Sequence, residues 1–163
     1  MVNAEDTRRR AWDAAAAVVD PEIPVLTIAD LGVLRAVTVT ADGVEVSITP
    51  TYTGCPAMQM ITVDIEIALE RAGIGPVRVR TILSPAWTTD WMTNDGRRKL
   101  TEYGIAPPPP AGSRRALFGE DRVACPRCGS GDTEKMSEFG STACKSLLRC
   151  RTCREPFELF KCH

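Results

Sequence analysis

Apolar positions near the start of the chain recur at helical spacing. Trp12, Ala15, Ala16 and Val19 share one side of a helix predicted from about Asp6 to Val19. Pro21 stops it, because the residue before a proline is pushed out of the helical region. The period then changes to two. Val37 and Val39 alternate with Thr38 and Thr40, Asp42-Gly43 turns the chain, and Val44-Glu45-Val46-Ser47-Ile48-Thr49 resumes, which predicts a hairpin. Thr51 to Cys55 reads as a loop. Helical spacing returns from Pro56 to about Arg71, with Met58, Ile61, Ile65 and Leu69 as the buried stripe. Gln59, Glu66 and Glu70 face water on the other side. Gly73 and Gly75-Pro76 close the helix, and Val77-Arg78-Val79-Arg80-Thr81 alternates as a third strand. Strand, helix, strand in this order predicts a β-α-β unit with a right-handed crossover. A third helix is predicted over Thr89 to Tyr103, ended by Gly104.

The pattern then breaks. Ala106-Pro107-Pro108-Pro109-Pro110-Ala111-Gly112 can form neither helix nor central strand and favours a stiff, extended linker. Three parts are therefore expected: a first domain over 1–105, a proline-rich linker over 106–122, and a small module over 123–163. The last holds six of the seven cysteines and is too short for an apolar core to support it unaided. The fold class is α+β: a small mixed sheet with a β-α-β unit, followed by a small β module.

Charge and composition remove several function classes. The chain carries 20 basic and 21 acidic residues, net −1, without the basic surplus of a nucleic-acid binder. No apolar run reaches the roughly 20 residues of a membrane helix. Met1 to Arg10 is polar with no apolar secretory segment behind it, so the chain reads as cytoplasmic. In that compartment seven cysteines point to metal or thiol chemistry, and an odd number cannot pair completely. The single histidine is His163, which leaves histidine triads, three-histidine zinc enzymes and facial-triad iron oxygenases unsupported.

Cys125-Pro126-Arg127-Cys128-Gly129 and Cys150-Arg151-Thr152-Cys153 are two CxxC knuckles with 21 residues between them. Two residues between thiolates let one tight turn aim both sulfurs at one ion, and two knuckles complete a closed tetrahedral shell. Cys125, Cys128, Cys150 and Cys153 are thus the expected metal ligands, for zinc in preference to iron or an iron–sulfur cluster. Cys144, Cys162 and His163 lie close enough in sequence to serve as extra ligands, or as a packed thiol and a loose terminus.

Cys55 stands alone in the first domain, in Thr51-Tyr52-Thr53-Gly54-Cys55-Pro56. Proline is favoured at the first helical position, which would make Cys55 the N-cap. There, unpaired N–H groups and the helix dipole would lower the thiol pKa. The competing reading is an inert, buried cysteine at a strand–helix junction. Asp20-Pro21 and Asp30-Leu31-Gly32 read either as turn chemistry or as carboxylates lining the same pocket.

Asp20-Pro21-Glu22-Ile23-Pro24, Asp30-Leu31-Gly32-Val33 and Thr51 to Pro56 together resemble the SufT-like domain family of iron–sulfur protein maturation, over about residues 5–105. With the double knuckle, Phe139-Gly140-Ser141-Thr142-Ala143-Cys144-Lys145 and Phe160-Lys161-Cys162-His163, the whole chain resembles the PaaD (PaaJ) family of bacterial phenylacetyl-CoA 1,2-epoxidase systems. That resemblance implies a zinc-ribbon-like C-terminal module and a non-catalytic role in maturing the epoxidase's metal centres during aerobic phenylacetate catabolism. It implies the oxygenase and reductase subunits as partners, and contact with iron, a cluster or a client through Cys55, Asp20, Asp30 and Thr51. A homodimer is compatible with it; nucleic-acid and membrane partners are not expected. The alternatives are a stoichiometric structural subunit of the oxygenase and a nucleic-acid-binding ribbon. The absence of a di-iron Glu-x-x-His pair and of a nucleotide-binding glycine fingerprint agrees with an accessory role.

Overall fold

The Asp42-Gly43 turn joins strands β1 (Leu34–Thr40) and β2 (Gly43–Ile48), which pair antiparallel. Gly43 has φ 137°, and a Cβ there would lie 2.1 Å from the Pro76 carbonyl oxygen. Only glycine lets the hairpin approach that carbonyl, which accepts the Val44 N–H at 2.9 Å. Helix α2 (Ala57–Arg71) returns the chain to β3 (Val77–Thr81), parallel to β2, so the predicted β-α-β unit is present. The sheet order is β1-β2-β3. The structure is a computed structural model and describes residues 3–113 and 122–161.

Helix α1 (Ala4–Ala16) packs on β1 and α2 through Ala15, as predicted, but with Ala11 instead of Trp12 beside it. Ala11, Ala15 and Val18 are buried, whereas Trp12 and Val19 are 36% and 47% exposed. Small alanines allow close helix packing, whereas apolar spacing alone favours the bulkier residues. The helix also ends earlier than predicted. Residues 18–20 pair with 26–28 instead, through Ile28 N–H to Val18 O at 2.9 Å and Asp20 N–H to Leu26 O at 2.8 Å. On α2, Ile61, Ile65 and Leu69 form the buried stripe as predicted, while Met58 stays half-buried.

The chain divides into two compact units between Trp87 and Thr88, eighteen residues before the expected boundary at 105/106. The second unit opens with a short 3₁₀ turn (Thr89–Trp91). Helix α3 (Asn94–Tyr103) follows, started by Thr93, whose hydroxyl accepts the Gly96 N–H at 2.9 Å. The next strands are β4 (Ile105–Ala106), β5 (Thr133–Ser137), β6 (Lys145–Cys150) and β7 (Pro156–Phe160), in sheet order β4-β7-β6-β5. β4 pairs parallel with β7; the other pairings are antiparallel. Ala106, the first residue of the expected linker, is therefore part of a sheet edge together with Ile105. The prolines that follow are held too: Arg97 donates to the Pro108 and Thr89 carbonyls at 2.5 and 2.7 Å.

Candidate metal centre and the Cys55 loop

The two knuckles are built alike. In the first, Cys125 N–H donates to Ser130 O at 2.9 Å and the chain passes through positive φ (77°) at Gly129. In the second, Cys150 N–H donates to Glu155 O at 3.0 Å and the positive φ (65°) falls on Arg154. Each turn aims two sulfurs inward. All four sulfurs lie within 4.8 Å of one another, with Cys125 to Cys153 at 3.8 Å and Cys128 to Cys150 at 3.6 Å. A tetrahedral zinc with sulfurs at about 2.3 Å needs them about 3.8 Å apart. The site therefore fits a four-sulfur metal ion, and its geometry accommodates zinc and iron alike.

Cys125 and Cys150 are buried, and Cys128 and Cys153 lie toward the surface. Without metal, Cys150 and Cys153 hold their protons unequally. The Cys153 N–H, aimed at the Cys150 sulfur from 3.5 Å, draws Cys150 down to about 6. A Glu155 N–H favours the Cys153 thiolate, but desolvation and the neighbouring sulfurs outweigh it and push Cys153 up to about 12. A cation relieves this by holding several thiolates at once.

Cys144, an expected extra ligand, is not a member of the four-sulfur group. It is buried, with its sulfur 3.0 Å from the Thr142 hydroxyl. Cys162 and His163 lie outside the described residues. Beside Cys144 stands an anchor that the hydrophobic pattern does not reveal. Lys145, 4% exposed, pairs with Glu158 at 3.2 Å, and Glu158 also accepts the Ser141 N–H at 2.5 Å. Burial raises the Glu158 pKa, but the Ser141 contacts and Lys145 more than offset it, so the carboxylate stays below its ordinary range. Lys145 opens β6, a strand that also carries Ser146 and Arg149, so nothing in the local pattern marks it as buried.

In the first unit, Cys55 is half-buried one position before the cap of α2. Pro56 itself is the cap, with φ −68° and ψ −23°, and makes no side-chain cap bond. The expected lowering of the Cys55 pKa is overturned. Burial raises it, with the Glu22 and Asp20 carboxylates adding to that, and the Ala57 N–H and the Tyr52 side chain only partly offset them. Glu22 is thus part of the Cys55 environment alongside Asp20. The Asp20 carboxylate accepts the Glu22 and Ile23 N–H groups at 2.9 and 2.8 Å. Asp30 and Thr27 cap each other: Thr27 N–H donates to Asp30 at 3.1 Å, and Asp30 N–H to the Thr27 hydroxyl at 3.0 Å. Trp87 donates to Leu31 O at 2.8 Å and fixes the same loop. Both aspartates therefore shape the chain, and Asp20 also acts electrostatically on Cys55. Thr51 is half-buried in the bend leading to it.

Family models match both parts of the chain. A family model described as iron–sulfur cluster assembly protein matches residues 8–81, and one described as PaaD zinc beta ribbon domain matches 109–161. The chain is 52% identical over 151 residues to a putative 1,2-phenylacetyl-CoA epoxidase subunit of Escherichia coli (strain K12), covering 93% of this chain and 90% of that one. The chain belongs to the PaaD family. It is also 38% identical over 85 residues to an Fe-S protein maturation auxiliary factor of Porphyromonas gingivalis, covering 51% of this chain and 80% of that one. In structure it is similar to a domain of unknown function, DUF59, from Bacillus anthracis. That match has a TM-score of 0.55 at 24% identity and covers 60% of this chain and 93% of the other, which supports the α+β fold. Among the described residues, no helix is long and apolar enough to cross a membrane.

Proposed function

We propose that this chain is a non-catalytic maturation factor for the metal centres of a phenylacetyl-CoA epoxidase. One observation carries the reading: a single chain joins an iron–sulfur assembly domain to a PaaD ribbon, at 52% identity to a protein named as part of that epoxidase. In this reading the oxygenase and reductase subunits are its partners in the cytoplasm, and the ribbon holds zinc as a structural ion. A closed four-sulfur shell leaves no open position for chemistry, so handling of iron or a cluster falls to Cys55. Burial, with the Glu22 and Asp20 carboxylates adding to it, keeps its thiol protonated; the same carboxylates favour an approaching cation, and binding releases the proton. Asp30 and Thr51 serve by holding the surrounding loops.

The test is a Cys55→Ala chain as the sole copy in cells. Oxygenase and reductase subunits should accumulate normally with underfilled metal centres and at least about tenfold less epoxidation, the usual effect of losing a metal-site ligand shell member. Full metal loading in those cells would end the proposal. The Escherichia coli relative's name, which makes it a subunit, favours a second reading: a stoichiometric structural component. Equimolar, salt-stable co-purification with the oxygenase would select it.

A further inference from the structure

We propose that metal binding by the four cysteines and the docking of helix α3 are one coupled event, so that α3 is ordered only while the ribbon holds its ion. Ala106, 1% exposed, sits in the same apolar cluster as Cys125, Cys150, Leu148 and Phe157. Two of the metal ligands are thus part of the wall against which the end of the helix segment packs. Ile105 and Ala106 extend the ribbon sheet by pairing with Glu158 and Leu159. The tie continues through the prolines. Arg97 grips Pro108 O, Thr89 donates to Pro109 O at 3.3 Å, and the Asp90 carboxylate accepts the Ala111 N–H at 3.0 Å.

Neither part can stand without the other. A ten-residue helix is marginal in water, and α3 buries only Gly96 and Leu100 along its length. The ribbon's own core is small, so its fold depends on the ion. Without metal, four thiols less than 4.8 Å apart have no common attraction, and the Cys125–Cys150 wall loosens. Ala106 and Ile105 then lose their cover, and α3 loses the strand that anchors its C-terminal end. Linkage makes the effect reciprocal: whatever loosens α3 weakens the metal. The exposed Arg98 and Tyr103 side chains are consequently displayed on a helix only by the metal-bound chain.

The proposal rests on the four-sulfur site holding a metal, so the full-length protein is first assayed for zinc. Hydrogen exchange of peptides spanning 94–106 is then compared before and after anaerobic removal of zinc with a chelator. Protection there should fall at least about tenfold and return on adding zinc, while peptides from β2 and α2 keep theirs. Unchanged protection over 94–106 in the stripped protein overturns the coupling. Simultaneous loss in β2 and α2 overturns it too, since the event would then be global unfolding. In the reverse direction, Arg97→Gln, which removes two carbonyl anchors without touching the ribbon, should weaken zinc retention against a chromophoric chelator about fivefold or more. Unaltered retention would contradict reciprocity. A protein that binds no zinc at all defeats the metal site itself, a result distinct from either failure.

Discussion

Cys55 shows how burial can reverse an expectation drawn from position. A helix N-terminus lowers a thiol pKa when the sulfur is solvated and the nearest charges are positive. Here the sulfur is half-buried and the nearest charges are the Glu22 and Asp20 carboxylates. Cys55 should therefore react with iodoacetamide more slowly at about pH 7.5 than a free cysteine, whose pKa is about 8.5, with the rate still climbing well into the alkaline range. Glu22→Gln should speed the reaction at fixed pH, and equal rates would show that Glu22 has no electrostatic reach to the sulfur. Arg154 offers a second test at this scale. It holds a positive φ (65°) at the turn position that glycine fills in the other knuckle. Left-handed backbone costs a non-glycine residue about 1 kcal/mol. The Arg154→Gly chain should thus be at least as stable by chemical denaturation, gaining up to ~1 kcal/mol despite glycine's larger unfolded entropy.

Among the elements, β6 departs most from a simple strand. Lys145 enters its buried face at 6% side-chain exposure and meets Glu158 of β7, which in turn secures Ser141 in the loop before β6. Removing the cation leaves the Glu158 carboxylate with its Ser141 contacts alone. Lys145→Met should cost about 3 kcal/mol in denaturant melts of the zinc-loaded protein, the range for breaking a buried pair from one side. A loss below about 1 kcal/mol would mean that water reaches Glu158. The pH dependence follows from the direction of the Glu158 shift. Its folded pKa lies below the ordinary value of 4.5, so its contribution is complete above 4.5 and disappears as pH falls toward the lower folded value. Glu158→Gln should flatten that acid limb. The expected helix over Thr89 to Tyr103 is shorter for a local reason. Thr93 caps Asn94 onward, leaving Thr89–Trp91 as a separate 3₁₀ turn.

For the whole molecule, the division of the chain determines which pieces can be cut. The boundary at Trp87/Thr88 predicts that a chain ending at Trp87 keeps its fold, with Trp87 still bonded to Leu31 O. A chain ending at 105 should carry the same folded unit followed by an unfolded tail, because β7, the strand that pairs with β4, is missing. Amide dispersion over residues 88–105 measures this directly. Sharp, dispersed signals there would restore the break at the prolines. Limited proteolysis of the intact, zinc-loaded chain should likewise spare 94–111.

Much of this protein was legible in its residues because the deciding physics is local. An Asp-Gly pair turns a hairpin, helical spacing of Ile61, Ile65 and Leu69 makes a buried stripe, and two CxxC turns aim four sulfurs at one point. Those features depend on neighbours a few residues apart, or on pairs of similar turns. What only the tertiary structure decided depends on residues far apart in sequence. Burial at the strand–helix junction, with Glu22 brought up by the fold adding to it, reverses the expected direction of the Cys55 pKa. Lys145 finds Glu158 across two strands. Ile105, which reads as the end of the first domain, and Ala106, which reads as linker, become a strand because β7 supplies an open edge about fifty residues later. Hydrogen-bond donors on a distant edge leave no mark on the local pattern, so the boundary between the two units could be placed only once the chain was folded.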